Sequence, residues 1–239
     1  MAAVLIFGAT GGVGGALARR LARRGSALHL AGRDGERLGT LAVELGCGST
    51  VCDVLDSAQA DATVQAAGPE LAGLVFAVGS IDLAPLKRIG RGAMRAAYEL
   101  NAVSAAEAVR IALPALQAAQ GSVVLFSTVA AAQGFQNHAM IAAAKAAVEG
   151  LVVSLAADLA PKVRINAVAP SLLRTRLGEA FTRDEKLTAA IAGLHPLGRI
   201  GEADDAAALA DFLVGPEAGW ITGQVFRVHG GRSTVRNKG

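Results

Sequence analysis

Apolar positions along the chain fall into two alternating patterns. Short runs rich in apolar and β-branched side chains at residues 4–7, 27–31, 49–52, 74–77, 123–126, 164–168 and 224–228 predict seven strands. Several of these runs are continuously apolar, as expected of parallel strands covered by helices on both faces. Longer stretches of helical composition lie between them at 15–24, 34–45, 93–117, 139–160 and 203–214. Strand and helix repeating in this order predict one α/β domain over residues 1–239, a doubly wound seven-stranded parallel sheet with helices on both faces. Residues 171–195 are the least regular part and predict a mobile lid over a substrate pocket shaped by Leu177, Phe181, Leu187 and Leu194.

Composition narrows the function classes. A chain of 239 residues with 52% hydrophobic composition buries a large core without help from metal or disulfides. The opening apolar run has no basic segment before it, and no later apolar stretch reaches the length of a membrane span without a charge or turn signal. A soluble cytoplasmic protein with no membrane partner is expected, with Cys47 and Cys52 as reduced thiols and no metal site. The net charge is +3, but the arginines are dispersed, and the densest group (Arg19, Arg20, Arg23, Arg24) falls on what should be the solvated side of one helix. With one Trp and one Tyr there is no surface of stacked aromatics, so no nucleic-acid partner is expected.

The glycine-rich segment from Gly8 to Gly15 follows the first predicted strand directly and opens the first helix. Glycines there let the backbone approach a diphosphate, and a helix N-terminus offers free N–H groups and a positive dipole end. Gly8, Thr10, Gly12, Val13 and Gly14 are the expected contacts of a Rossmann-type dinucleotide site. At the end of the second predicted strand, Gly32 leaves room and Arg33 offers a guanidinium to a 2′-phosphate, which points to NADP(H). Asp34 reads either as a ribose ligand, which would suit NAD, or as the N-cap of the next helix. Further along, Lys145 stands in the stretch from His138 to Glu149, where almost every other side chain is apolar, so its charge needs a reason. At helical spacing Ile141 lies one turn before it and His138 two turns before it, and the three share a face expected to look into a site.

These features together resemble the short-chain dehydrogenase/reductase family. Gly8, Gly12 and Gly14 have the spacing of its Gly-x-x-x-Gly-x-Gly loop, and the Lys145 helix resembles its Tyr-x-x-x-Lys segment with Ile141 in the tyrosine's place. Asn101 and Thr128 stand where the family has its catalytic Asn and Ser. Asp53 and Val54 resemble the adenine-contacting pair, and Ala77 and Gly79 belong to the segment that is usually Asn-Asn-Ala-Gly. The segment Asn166 to Thr175 resembles the stretch in which Pro170, the backbone near Leu173 and the Thr175 hydroxyl would hold the nicotinamide end. His195 to Arg199 and Thr222 to Gly231 resemble the C-terminal elements, with His229 where Asp is usual.

The resemblance implies an NADP(H)-dependent oxidoreductase that transfers hydride to or from a small carbonyl or enone/enoyl-type substrate, with Lys145 on the nicotinamide ribose and a homo-oligomer, tetramer or dimer, as the assembly. Ile141 cannot exchange a proton. Enoyl reductases of the wider family place their tyrosine seven residues before the lysine, which is His138 here, a titratable group and the candidate proton source. The other reading is a catalytically silent NADP(H)-binding or regulatory protein.

Overall fold

The computed structural model describes residues 2–235. Its main sheet is built from β1 (Ala3–Phe7), β2 (Leu28–Gly32), β3 (Gly48–Val51), β4 (Leu71–Phe76), β5 (Ser122–Phe126), β6 (Arg164–Pro170) and, after two short strands, β9 (Val225–Val228). All neighbours pair in parallel, in the order β3-β2-β1-β4-β5-β6-β9. The seven predicted strands are therefore all present, with ends shifted by a few residues. Successive side chains of a strand point to opposite faces, and β1 shows the result. Leu5 and Phe7 pack with helices α3 (Ser57–Ala67), α5 (Ser104–Ala118) and α6 (Ala139–Leu159), while Val4 and Ile6 pack with α1 (Gly12–Arg23), α2 (Gly35–Leu45) and α8 (Ala203–Val214).

Chain direction out of the sheet reverses between β1 and β4, and the crevice at their carboxyl ends is where a doubly wound sheet places its ligand. Four local features differ from expectation. First, α3 has little apolar periodicity in its sequence to announce it; Asp56 holds its start by accepting from the backbone N–H groups of Ala58 and Gln59 at 2.9 and 3.2 Å. Second, the helix expected over 93–117 is α4 (Arg91–Tyr98), a π-helical segment (Glu99–Val103) and α5 in succession. Third, the irregular 171–195 stretch contains a 3-10 segment (Arg176–Phe181) and α7 (Glu185–Gly193), and the pairing of β7 (Leu173–Arg174) with β8 (Gly201–Glu202) ties its two ends together. Fourth, the arginine group on α1 is not simply solvated. Arg19 pairs with Glu44 at 2.6 Å, Arg20 with Asp204 and Asp211 at 3.0 and 3.4 Å, and Arg24 with Asp211 and Glu217 at 2.8 and 3.3 Å.

Candidate active site

Gly8 leaves β1 with a positive φ of 79°, and a Cβ there would stand 2.7 Å from the carbonyl oxygen of Ala77 at the end of β4. A side chain at Gly14 would in turn run into the Gly8 backbone, so the loop closes only with glycine at both places. The N-cap of α1 is Gly11, which has no side chain to satisfy the first N–H groups, and no acidic residue occupies the first turn. Those groups and the positive dipole end face a cleft of about 430 Å³ whose walls include Gly8, Thr10, Gly12, Val13, Arg33 and Thr175.

Two guanidinium groups stand at the β2 end of this cleft. Arg33 is exposed at the rim, and Arg37, one turn into α2, donates from Nη2 to the Thr10 carbonyl at 3.3 Å. Asp34 accepts from the backbone N–H of Arg37 at 3.1 Å, which is the N-cap geometry. Cys52 and Val54 line the cleft, whereas Asp53 turns back on its own loop and accepts from the Leu55 backbone at 3.1 Å. Ala77 and Gly79, with Val13 and Thr175, border both this cleft and a second cavity, so the two are continuous.

The second cavity, of about 290 Å³, receives Lys145, Thr128, Ile141 and His138 together. Lys145 is buried, and its Nζ donates to the Phe126 carbonyl at 2.8 Å; burial pushes its pKa down from 10.5 to about 8. Asn101 reaches the same point from the π-helical segment: a Cβ on Gly79 would lie 2.9 Å from Asn101 Oδ1 and 3.1 Å from Lys145 Nζ. The Asn101 amide donates to the Ala97 carbonyl at 2.9 Å, leaving its buried Oδ1 without a hydrogen-bond partner among the described residues. A π turn widens the helix locally and is commonly found at functional positions. Thr128, two residues beyond β5, makes only long contacts, to the Pro170 carbonyl at 3.5 Å and from the Ala130 N–H at 3.3 Å. Pro170 and Leu173 border the cavity on the β6 side, and the Thr175 hydroxyl accepts from the Gly178 N–H at 3.2 Å.

Ile141 is 4% exposed and presents only hydrocarbon to this cavity. His138 caps α6 at the mouth, its ring centroid 5.3 Å from that of Phe135. Its Nδ1 lies 2.7 Å from the Gln136 carbonyl, so Nδ1 carries the proton of the neutral ring and Nε2 has one to give only in the imidazolium form. Of the expected lid contacts, Leu177 and Phe181 line the cavity; Leu187 and Leu194 are exposed elsewhere, and Ile191 takes their place.

Three groups escape sequence reasoning. Ser171 meets the buried His195 Nε2 at 2.9 Å, with His195 Nδ1 tied to the Ile191 carbonyl at 2.8 Å. Ser127 donates to Glu149 at 2.7 Å, bracing α6 one turn beyond Lys145. Arg232, from the C-terminal segment, enters the cavity wall. Arg37 is a fourth, and it alone had a local signal, standing four residues after Arg33.

Comparison with known proteins agrees with this geometry. A family model described as Enoyl-(Acyl carrier protein) reductase matches residues 8–233. Human mitochondrial dehydrogenase/reductase SDR family member 2 is 30% identical over 236 residues, covering 95% of this chain and 84% of its own. A tropinone reductase homolog from Arabidopsis thaliana is 31% identical over 238 residues, covering 95% and 90%. Among solved structures, a short-chain type dehydrogenase/reductase from Mycobacterium ulcerans superposes with a TM-score of 0.91 at 28% identity, covering 97% of this chain and 89% of its own. A gluconate 5-dehydrogenase from Burkholderia cenocepacia, in complex with NADP and tartrate, gives 0.91 at 26% identity, covering 98% and 96%. With its sheet order, its glycine loop and these matches over nearly its full length, the chain belongs to the short-chain dehydrogenase/reductase family.

Proposed function

We propose that the protein is an NADP(H)-dependent oxidoreductase acting on a small carbonyl or an enone/enoyl-type compound, and that it does so without a tyrosine at the proton-transfer position. The observation that carries this reading is the continuity of the cleft: the uncapped start of α1 and the Arg33 rim lead directly to the cavity that holds Lys145 and Thr128, with Asn101 buried behind Gly79. These residues fit the cofactor. The loop from Gly8 to Gly14 would take the diphosphate, Arg33 the 2′-phosphate, Val54 the adenine side, and Asp53 would act through its loop. Ala77 and Gly79 leave backbone open at the centre, Lys145 would hold the nicotinamide ribose, and Pro170, Leu173 and Thr175 would flank the nicotinamide. The occupied relative, the gluconate 5-dehydrogenase solved with NADP, supports the choice of cofactor.

When bound, the reduced cofactor supplies hydride to the acceptor carbon, and a proton completes the product. The chain's own contribution is orientation and that proton. The Phe126 carbonyl holds Lys145 in place with the unpartnered Asn101 Oδ1 beside it, the Thr128 hydroxyl, engaged only by long contacts, would hold an acceptor oxygen, and His138 is the proton source at the mouth. The assembly in this reading is a homo-oligomer, tetramer or dimer.

The test is stereospecific transfer of deuterium from labelled NADPH to a panel of ketones, enones and enoyl thioesters, repeated with His138→Phe. Turnover by the native protein that disappears in the variant, with NADPH affinity intact, is expected. Unchanged turnover in His138→Phe would move the proton source elsewhere; no transfer to any acceptor would leave a silent NADP(H)-binding protein.

A further inference from the structure

The substrate cavity contains a cation that the reading above leaves without a role. Arg232 follows β9 in the turn after Gly230 and Gly231 and lies in the cavity wall with Phe135, Phe181 and Ile191. Its guanidinium carbon sits 4.7 Å from the centroid of Phe135, whose other neighbour is the His138 ring. An arginine stacked in this way has its planar fork fixed in direction. Among the described residues no carboxylate pairs with it, although ten other ion pairs are formed in the molecule. The imbalance extends to the whole cavity: Lys145, His138 and Arg232 contribute three cationic or titratable groups, and its lining includes no Asp or Glu.

A partly desolvated cation in an apolar wall is costly unless an anion meets it. Burial pushes the Arg232 guanidinium below its usual value, yet an arginine stays protonated, so the cost is not removed by losing the proton. Lys145 answers to the Phe126 carbonyl and to the cofactor ribose of the proposed function. Arg232 faces the space left for the substrate, and its fork matches the two oxygens of a carboxylate. We propose that Arg232 anchors the free carboxylate of the substrate, so that the acceptor is a small oxo acid or unsaturated acid and not a thioester or other neutral acyl compound. The inference rests on the reading of this cavity as the substrate site. It departs from the description of the matching family model, which names an enoyl-(acyl carrier protein) reductase.

The test is calorimetric titration of acetoacetate, 2-oxohexanoate and phenylpyruvate, each against its methyl ester, into native protein, Arg232→Leu and Arg232→Lys, with an NADPH titration of each protein in parallel. A charged hydrogen-bonded pair predicts that the native protein binds at least one acid about 10-fold to 100-fold more tightly than its ester. Arg232→Leu, which keeps an apolar stem against Phe135, should abolish that preference, and Arg232→Lys should retain part of it, with NADPH affinity unaltered in both. Equal binding of acid and ester by the native protein, a preference that survives in Arg232→Leu, or failure of all three acids to bind would overturn the assignment. If the acid preference stands while NADPH does not bind, the oxidoreductase reading fails alone; if NADPH binds and the preference is absent, the carboxylate anchor fails alone.

Discussion

At the scale of single residues, Lys145 shows what the active site costs the fold. Its pKa falls from 10.5 to about 8 on burial, so between those values the unfolded chain holds a proton that the folded chain has released. Stability therefore rises with pH across that window, and the penalty is present in full below pH 8. In the cofactor-free protein, Lys145→Met should raise the unfolding free energy at pH 7 by about 1–3 kcal/mol, less than the full shift because the Phe126 carbonyl loses its donor. Urea unfolding at pH 7 and pH 9.5 checks it; a gain that does not shrink at the higher pH contradicts the burial argument. Arg33 offers a second test. Arg33→Ala should weaken NADPH binding about 10-fold or more and leave NADH unchanged, because only the former carries the 2′-phosphate; equal losses by titration would show that Arg33 does not read that group. Position 141 offers a third: negligible oxidation of simple secondary alcohols by the native protein, partly restored in Ile141→Tyr, measured as NADP+ reduction. Lys145 was legible because its charge departs from an otherwise apolar helix, whereas Asn101 and Thr128 were legible only through the resemblance of their segments to those of the family. Arg232 and the Ser171–His195 pair were not, since their significance arises only when distant segments meet.

Elements divide along the same line. The strands could be read because burial on both faces leaves an uninterrupted apolar run, a signal that belongs to the segment itself. The π-helical step at Glu99–Val103 could not, because one extra residue in a turn barely disturbs the apolar repeat on either side, yet it carries Asn101 to Gly79 and Lys145. The α1 arginines looked solvated because their acidic partners on α8 and beyond lie more than 180 residues away. Their geometry now ranks them. Asp211 is only 9% exposed at its side chain and receives both Arg20 and Arg24, whereas the Arg19–Glu44 pair is 46% and 43% exposed. Removing the shared carboxylate leaves two guanidinium groups at a packed helix interface, so Asp211→Ala should cost about 1–3 kcal/mol, clearly more than the solvent-screened Glu44→Ala. Denaturant midpoints of the two variants settle the order; equal effects would mean that solvent screens the α1–α8 contact as fully as the exposed pair.

Across the whole molecule, one surface has no purpose in an isolated chain. The described residues include one helix long and apolar enough by length and composition to cross a membrane, Ala139–Leu159, and it is a core helix whose buried face carries Lys145 into the active site. Its opposite face stays apolar and exposed: Ala146, Gly150 and Ala157 recur at helical spacing around Val153, which is 60% exposed. A monomer has no reason to keep such a face dry, and small residues there would let the same helix of a second copy approach closely around a two-fold axis. Pairing through α6 would also couple assembly to chemistry, since the helix that meets the partner also presents Ile141 and Lys145 to the cavity. Light scattering at micromolar concentration should give the mass of a dimer or tetramer, and Val153→Glu should lower it while leaving the far-ultraviolet circular dichroism unchanged. If the native protein is a monomer, the face has no copy to cover it; if Val153→Glu keeps the native mass, the subunits meet elsewhere and α6 answers only to the sheet beneath it.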